Sequence, residues 1–303
     1  MEQEKPMNDN ADFAPKWLLK TIKTIWGFFL LFLLFSFFSL VFFYLLKWLV
    51  FNGKLLPLTT QSELTELFHL QLTSLFSIIL SVLILKFSLF RNSLKIDLSL
   101  KNAPYLMLGG FLFILGIYLI GYLISLSFGW IQIVNIKWDF IALGSSFLIF
   151  LVVAFSEEII FRGVIQPLLL DIPLPKPIAL LITSLLFMLA HLNNPGLDWI
   201  PLLNLFLAGV FFGTYMLYNQ NLWFPIIGHL FWNWIQGPIL GYKVSGLSIG
   251  TPLIQIKEVG PPWITGGNFG FEGSILCSIL LLIATSLTYC YCKKREFIEE
   301  HQS

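Results

Sequence analysis

Long apolar segments dominate this sequence, and they limit the folds that it can adopt. A helix needs about 20 mainly apolar residues to cross a bilayer, because its backbone polar groups must be satisfied within the segment. The sequence predicts eight such helices, at about residues 25–46, 68–90, 104–128, 139–166, 177–192, 200–219, 223–242 and 273–292. The fifth is short and lies between DIPLPKP and NNPG, whose Pro and Gly residues are typical of helix ends. We therefore predict an all-α, polytopic integral membrane protein of about eight transmembrane helices.

The composition agrees with this fold class. Hydrophobic residues make up 57% of the 303 residues and charged residues only 12%, whereas a soluble domain carries about 25% charged residues. The net charge of +1 argues against a nucleic acid partner and leaves the lipid bilayer as the main surroundings. Cys277, Cys290 and Cys292 lie in or beside the last apolar segment, with the spacing of neither a disulfide framework nor a metal site.

The basic residues indicate how the chain crosses the membrane. A cytoplasmic N-terminus places most of the 18 Lys and Arg residues inside, as the positive-inside rule requires. We therefore predict a cytoplasmic tail at 1–24, a transmembrane domain at 25–292 and a cytoplasmic tail at 293–303, in the plasma membrane. The long loop at 243–272 is then extracytoplasmic, either a simple connection or a functional segment. The inside set is Lys5, Lys16, Lys20, Lys23, Lys86, Arg91, Lys95, Lys101, Arg162, Lys176, Lys293, Lys294 and Arg295; Lys47, Lys54, Lys137, Lys243 and Lys257 fall outside.

The stretch FSEEIIFRG, at 155–163, places three charges near the end of the fourth apolar segment. Charged side chains are costly in hydrocarbon and usually face a partner or a functional site. Glu158 and Arg162 are four residues apart on one helix face, with the acid N-terminal, which favours an ion pair. Glu157 lies about 100° away around the helix. The spacing predicts a structural pair at Glu158 and Arg162, and leaves Glu157 free to act on something else.

Two further motifs place polar side chains in apolar surroundings. FMLAH puts His191 near the end of the fifth segment, and GHLFWNW puts His229 and Asn233 on one face of the seventh. Each residue alone is often structural, but together with Glu157 they form a set that can activate water and stabilise an oxyanion. Glu157, His191 and His229 also match a catalytic zinc set with an open position. The residues leave both the metal-free and the metal-dependent alternatives open.

The expected depths of these residues raise a geometric difficulty. Strict alternation of spanning helices places His191 toward the outer end of the fifth segment, but His229 near the inner start of the seventh. Glu157 would lie between the inner edge and the midplane. For the three side chains to meet, the fifth helix must be strongly tilted or short, which its proline-rich entry permits.

The motifs also carry a family resemblance. EEIIFRG, FMLAH and HLFWN resemble the EExxxR, FxxxH and HxxxN/B motifs of the CPBP family, which comprises CAAX-processing endopeptidases of the Rce type and bacterial Abi-type relatives. The motif region covers about residues 145–240, and VSGL…GPPWITGGNFGFEGS is similar to the tail of one bacterial subgroup. The resemblance implies an eight-helix intramembrane endopeptidase with a cavity that opens to the cytosol.

The resemblance also implies roles for the matching residues. Glu157 and His191 would activate the water, and His229 with Asn233 would stabilise the oxyanion. Glu158 and Arg162 would support the site. A metalloprotease mechanism, with a divalent metal such as zinc, and a metal-free glutamate mechanism are both proposed for the family.

We therefore predict a bacterial membrane endopeptidase that cleaves a membrane-associated or C-terminally processed peptide or protein. One alternative is a non-catalytic family member, a binding or bacteriocin-immunity scaffold, although the intact set of Glu157 and two histidines argues against it. The other is a small transporter in which Glu157 titrates. The lack of an internal repeat argues against that alternative.

Overall fold

A computed structural model of the chain describes residues 15–51, 63–88, 90, 93–94 and 96–302. The predicted N-terminal tail before residue 15 lies outside the described residues, as do Lys5, Lys54, Arg91 and Lys95 of the charge analysis. The helices are α1 (Lys16–Phe51), α2 (Glu63–Phe87), α3 (Ala103–Ser127), α4 (Phe140–Glu158), α5 (Gln166–Leu170), α6 (Lys176–Ala190), α7 (Trp199–Asn219), α8 (Trp223–Trp234), α9 (Pro262–Thr265) and α10 (Ile275–Gln302).

The helices confirm the polytopic membrane fold. Within the described part of the chain, six helical segments are long and apolar enough to cross a membrane: α1, α2, α3, the continuous run from α4 through α5, α7 and α10. The predicted fifth and seventh segments are shorter. They are α6, with 15 residues, and α8, with 12 residues and a five-residue π-helical continuation. The start of α1 at Lys16 makes part of the predicted tail helical.

A small sheet is the one departure from an all-α fold among the described residues. Strands β1 (Ile131–Ile136) and β2 (Ile254–Glu258) pair antiparallel, with Ile131 opposite Glu258 and a bulge after Ile133. Neither strand was predicted from the sequence, because each is short and lies next to a segment whose apolar length dominates the pattern. The sheet ties the α3–α4 connection to the segment before α10.

Two helices of the bundle continue as π-helix. Residues Ile159–Ile165 extend α4, and residues Ile235–Ile239 extend α8. Each π-turn has a proline at or just after it, Pro167 and Pro238, whose ring crowds the carbonyl group four residues earlier. A wider turn relieves that conflict. Such turns occur frequently at functional sites, and here they directly follow the EE motif and the HLFWN motif.

The helices around these turns pack closely. Helix α4 lies against α2 and α8, α3 lies against α8, and α7 lies against α6 and α10. Small residues allow the closest approach: a Cβ on Gly209 of α7 would lie 2.8 Å from the Cα atom of Ser184 in α6. Membrane helices associate through such small residues, because lipid provides no hydrophobic drive for helix contact.

The segment 243–272 is packed against the bundle rather than a simple connection. It contains β2, α9 and two short 3-10 turns, and it buries Val244, Phe269 and Phe271. A Cβ on Gly246, whose φ is +86°, would collide with the backbone carbonyl of Pro195, just after α6. Irregular backbone inside a membrane protein needs this kind of burial by protein or a lined cavity. The short α6 leaves the space that the segment fills.

Candidate active site

Because α6 is short, His191 does not lie at the different depth from Glu157 that strict alternation of spanning helices predicted. Glu157 precedes the end of α5 at Leu170 by 13 residues, and His191 follows the start of α6 at Lys176 by 15 residues. At 1.5 Å per residue these spans are about 20 and 22 Å. Because the two runs are antiparallel and joined by a short turn, Glu157 and His191 reach the same level. His191 caps a helix that ends inside the bundle.

Helix α8 reaches the same level from a different connection. Gly163, six residues after Glu157, lies level with Leu222: a Cβ at the glycine would be 3.4 Å from the Cδ1 atom of Leu222. His229 follows Leu222 by seven residues, so both side chains lie roughly 10 Å above this contact. The structure thus brings Glu157, His191 and His229 together.

Glu158 and Arg162 form the predicted ion pair. Arg162 Nη1 donates to Glu158 Oε1 at 2.9 Å, and both side chains are completely buried. The guanidinium also donates to the Gly209 carbonyl at 3.4 Å and lies 4.6 Å from the centre of the Phe187 ring. Arg162 is among the residues predicted on the cytoplasmic side, and its side chain is buried inside the bundle.

His229 also contacts this pair, a contact that the sequence analysis missed. Its Nδ1 atom lies 2.8 Å from Glu158 Oε1. Glu158 therefore meets Arg162 on its own helix and His229 on α8. A carboxylate that accepts from a guanidinium is an acceptor at its other contacts too, so the Nδ1 atom of His229 carries the hydrogen.

Glu157 faces both histidines from the other side. Its Oε2 atom lies 3.6 Å from Nε2 of His191 and 3.9 Å from Nε2 of His229. These distances exceed a direct hydrogen bond, and separations of this size are often bridged by water. The Glu157 side chain is 28% exposed, whereas that of Glu158 is fully buried. Adjacent carboxylates thus have different surroundings, as their spacing predicts.

The orientation of the His191 ring follows from a second contact. Its Nδ1 atom lies 2.8 Å from the backbone carbonyl of Phe187, one turn earlier in α6. A carbonyl oxygen only accepts hydrogen bonds, so Nδ1 is the donor. In the neutral ring, Nε2 then presents its lone pair toward Glu157. The ring is ready to accept a proton from a molecule between them.

These side chains line one cavity of about 420 Å³. Asn233, one turn after His229, lies on its wall, so all four predicted catalytic residues share the cavity. Helix α2 provides an unpredicted wall with Leu67, Gln71, Ser74 and Ile78, spaced along one helix face. The segment 243–272 contributes Val244, Ser245, Leu247, Ile249 and Glu272.

Glu272 is the principal residue that the sequence analysis missed. It is a buried acid that lines the cavity, and Trp232 Nε1 donates to its Oε1 atom at 2.6 Å. A signal was present: Glu272 is the single charged residue in the glycine-rich stretch GGNFGFEGS. Without the fold, nothing linked that stretch to α8.

The described residues do not present a metal site. No group of three His, Cys, Asp or Glu side chains among them is arranged to hold an ion. The Nδ1 contacts of both histidines are of the kind that orient metal ligands, yet they equally orient a histidine that binds water. We therefore derive no step through a metal, and the set of Glu157, His191 and His229 remains a prediction.

Comparison with known families agrees with this geometry. Residues 138–235, about a third of the chain, match the family model described as type II CAAX prenyl endopeptidase Rce1-like. This segment of the chain is similar to CAAX-type prenyl endopeptidases of that family. The matched range holds Glu157, His191, His229 and Asn233, so the family segment coincides with most of the site. No curated protein and no solved structure matches the chain.

Proposed function

We propose that the protein is an intramembrane endopeptidase that hydrolyses a peptide bond within or beside the bilayer. The observation that supports this most is the position of Glu157 Oε2, which faces the Nε2 atoms of His191 and His229 across 3.6 and 3.9 Å. The carboxylate lines a cavity inside an apolar bundle. A partly accessible base beside two oriented imidazoles is the arrangement that water activation requires.

In the proposed reaction, water lies between Glu157 and His191. Glu157 takes one proton as the water oxygen attacks the carbonyl carbon, while the His191 lone pair accepts a hydrogen bond from the other. The C–N bond then breaks, and Glu157 returns its proton to the leaving amine. Water is thus divided between the new carboxyl and amine ends.

His229 and Asn233 are the proposed donors to the oxyanion. A protonated His229 donates Nδ1–H to Glu158 and directs Nε2–H into the cavity, and the Asn233 amide has two N–H donors. Protonated His229 also makes the charges of the cluster balance, because Glu157 and Glu158 then face Arg162 and His229. Donors fixed in this way can stabilise a developing oxyanion by several kcal/mol.

The membrane and the orientation are proposals as well. We propose that the protein lies in a bacterial plasma membrane with both termini in the cytoplasm. The ion pair between Lys20 at the start of α1 and Asp171 before α6, at 3.3 Å, supports a common inner face. The substrate is proposed to be a membrane-associated or C-terminally processed peptide or protein.

Cleavage of lipid-anchored, fluorophore-quenched peptides by the purified full chain in proteoliposomes tests this function. We expect Glu157→Ala and His191→Ala each to abolish cleavage while the protein remains folded. Glu296→Gln, at an exposed carboxylate of α10, is the matched control and keeps wild-type activity. Wild-type activity in both site variants would contradict the proposal. Binding of a peptide without cleavage by the wild type would favour the scaffold alternative.

A further inference from the structure

We propose that Glu272 is a positioning residue that holds residues 244–249 as a wall of the cavity against which the substrate binds. This inference rests on the proposed endopeptidase function and extends it to a residue outside the family segment. Glu272 lies in the last part of the 243–272 segment, 37 residues beyond the end of the family match at 235.

Both carboxylate oxygens of Glu272 are used. Oε1 accepts from Trp232 Nε1 at 2.6 Å, whereas Oε2 accepts from the backbone N–H of Ser245 at 3.0 Å and from its hydroxyl at 2.8 Å. The carboxyl group therefore acts as an acceptor in all three contacts and fits them in its ionised form. Hydrogen bonds of this charge-assisted kind are stronger than neutral ones. One buried side chain thus joins α8 to the segment 244–249.

The Ser245 end of this connection has a constrained backbone. Ser245 has a φ of +48°, in the left-handed region that residues other than glycine rarely adopt. Such a conformation persists where the surrounding structure holds it. The two hydrogen bonds from Ser245 to Glu272 provide that restraint, so the course of the chain at 244–249 depends on the carboxylate.

The other end of the connection is next to the proposed oxyanion donors. Trp232 directly precedes Asn233 on α8, and its ring packs against Tyr118 at 5.2 Å between centroids. Helix α7 fixes the Glu272 backbone, because the Asn204 side-chain amide donates to the carbonyl oxygens of Glu272 and Ser274 at 2.6 and 2.8 Å. The bundle therefore fixes the backbone of Glu272, and the Glu272 carboxylate in turn fixes Ser245 in the wall.

Three of the four residues of the wall that line the cavity are apolar. Val244, Leu247 and Ile249 line the same 420 Å³ space as Glu157 and His191. An apolar group that leaves water to pack against such side chains gains free energy. The wall is suited to an apolar side chain of the peptide next to the bond that is cut, so its displacement is expected to weaken substrate binding more than the chemical step.

Glu258 is a matched control in the same segment. Its Oε2 atom accepts the backbone N–H of Gly267 at 3.0 Å, so it too fixes a turn through a main-chain hydrogen bond. Unlike Glu272, it is not among the residues that line the cavity. If residues 243–272 as a whole became less ordered, KM would change in both Glu272→Gln and Glu258→Gln. If only the wall at 244–249 were displaced, KM would change in Glu272→Gln alone.

The test measures kcat and KM of the full chain in proteoliposomes, with the lipid-anchored peptide that the wild type cleaves best. For Glu272→Gln we expect KM to rise by roughly tenfold while kcat changes by less than about threefold. Glu258→Gln is expected to keep the wild-type KM. If Glu272→Gln does not fold, Trp232→Phe keeps the aromatic ring, removes the donor to Glu272, and is expected to raise KM in the same direction.

Hydrogen exchange provides a readout that does not depend on cleavage. Glu272→Gln is expected to speed amide exchange at Ser245, and Glu258→Gln only at Gly267. A wild-type protein that cleaves normally and a Glu272→Gln variant with unchanged KM would overturn the inference but not the proposed function. If the wild type cleaves none of the peptides, the proposed function fails. In that case, an unchanged rate of amide exchange at Ser245 in Glu272→Gln would still overturn the positioning role of Glu272.

Discussion

His229 and Glu158 approach each other within 2.8 Å although they are 71 residues apart in the chain. The contact links a histidine of α8 to the acid that pairs with Arg162 on α4, so the catalytic and the supporting parts of the site share one hydrogen-bonded network. A change in the supporting pair should therefore affect both stability and chemistry, and the two effects can be separated by experiment.

Removal of Arg162 should mainly reduce stability. Arg162→Ala leaves the buried Glu158 with His229 as its remaining partner, so the variant is expected to lose up to about 3–5 kcal/mol, the cost of breaking a buried ion pair. Lys293→Ala is the matched control, because Lys293 pairs with Glu296 at 3.7 Å on an exposed surface, where an ion pair contributes about 0–1 kcal/mol. Thermal unfolding in detergent measures the stability of both variants. Equal unfolding temperatures for Arg162→Ala and the wild type would contradict the buried pair.

Glu158→Gln should reduce both activity and stability, in contrast to a change at Glu157. The neutral amide weakens the contacts with Arg162 and with His229 Nδ1, so the proposed oxyanion donor loses its orientation. We expect cleavage to fall by about 10²- to 10³-fold, the usual effect of losing one oxyanion donor. Steady-state kinetics alongside thermal unfolding check this expectation; an active but destabilised variant would assign Glu158 to structure alone.

The side-chain mechanism predicts that cleavage survives chelation. Glu157, His191 and water perform the proposed steps, so dialysis against EDTA should leave kcat within about twofold of its starting value. Metal content of the purified protein is measured in parallel. Loss of activity that added Zn²⁺ restores would favour the metalloprotease alternative, in which Glu157, His191 and His229 hold the ion.

Asn204 should be essential for the packing of the 243–272 segment. Its side chain donates to two backbone carbonyls and accepts from Ser278 Oγ at 2.6 Å, all inside the bundle. Asn204→Leu leaves these partners unsatisfied, at about 1–3 kcal/mol for each buried group. Asn219→Leu, at a partly buried site near the end of α7, is the control with a smaller expected effect. A similar unfolding temperature for both variants would argue against this role.

Glu258 should stabilise the fold more at low pH than at neutral pH. An acid in an ordinary ion pair has the opposite effect. Burial raises the pKa of Glu258 above its usual 4.5, while Thr265, Gly267 and Lys243 partly oppose the shift. A raised pKa in the folded state means that its contribution to stability is fully present below 4.5 and is lost as pH rises through the folded pKa. The unfolding temperature of the wild type relative to Glu258→Gln should therefore fall as pH rises above 4.5. A flat or rising difference would contradict this assignment.

The sequence predicted the fold class and the grouping of Glu157, Glu158 and Arg162 well, because helical spacing alone sorts residues four apart onto one face. It could not predict the contact of His229 with Glu158, which depends on how far α6 and α8 enter the bundle. The same limit applied to Glu272, since hydrogen bonds between distant segments leave no periodic pattern. The roles of Glu157, His191, His229 and Asn233 remain predictions for the variants above.

The packed 243–272 segment has a practical consequence for mapping the topology of this protein. Reporter fusions are usually made in the longest connection between apolar segments, because such loops tolerate insertion. Here a reporter at that place would disrupt the wall of the cavity, and a truncation before Glu272 would remove that residue together with α10. The orientation is better read from fusions that keep the whole chain and place the reporter after Ser303.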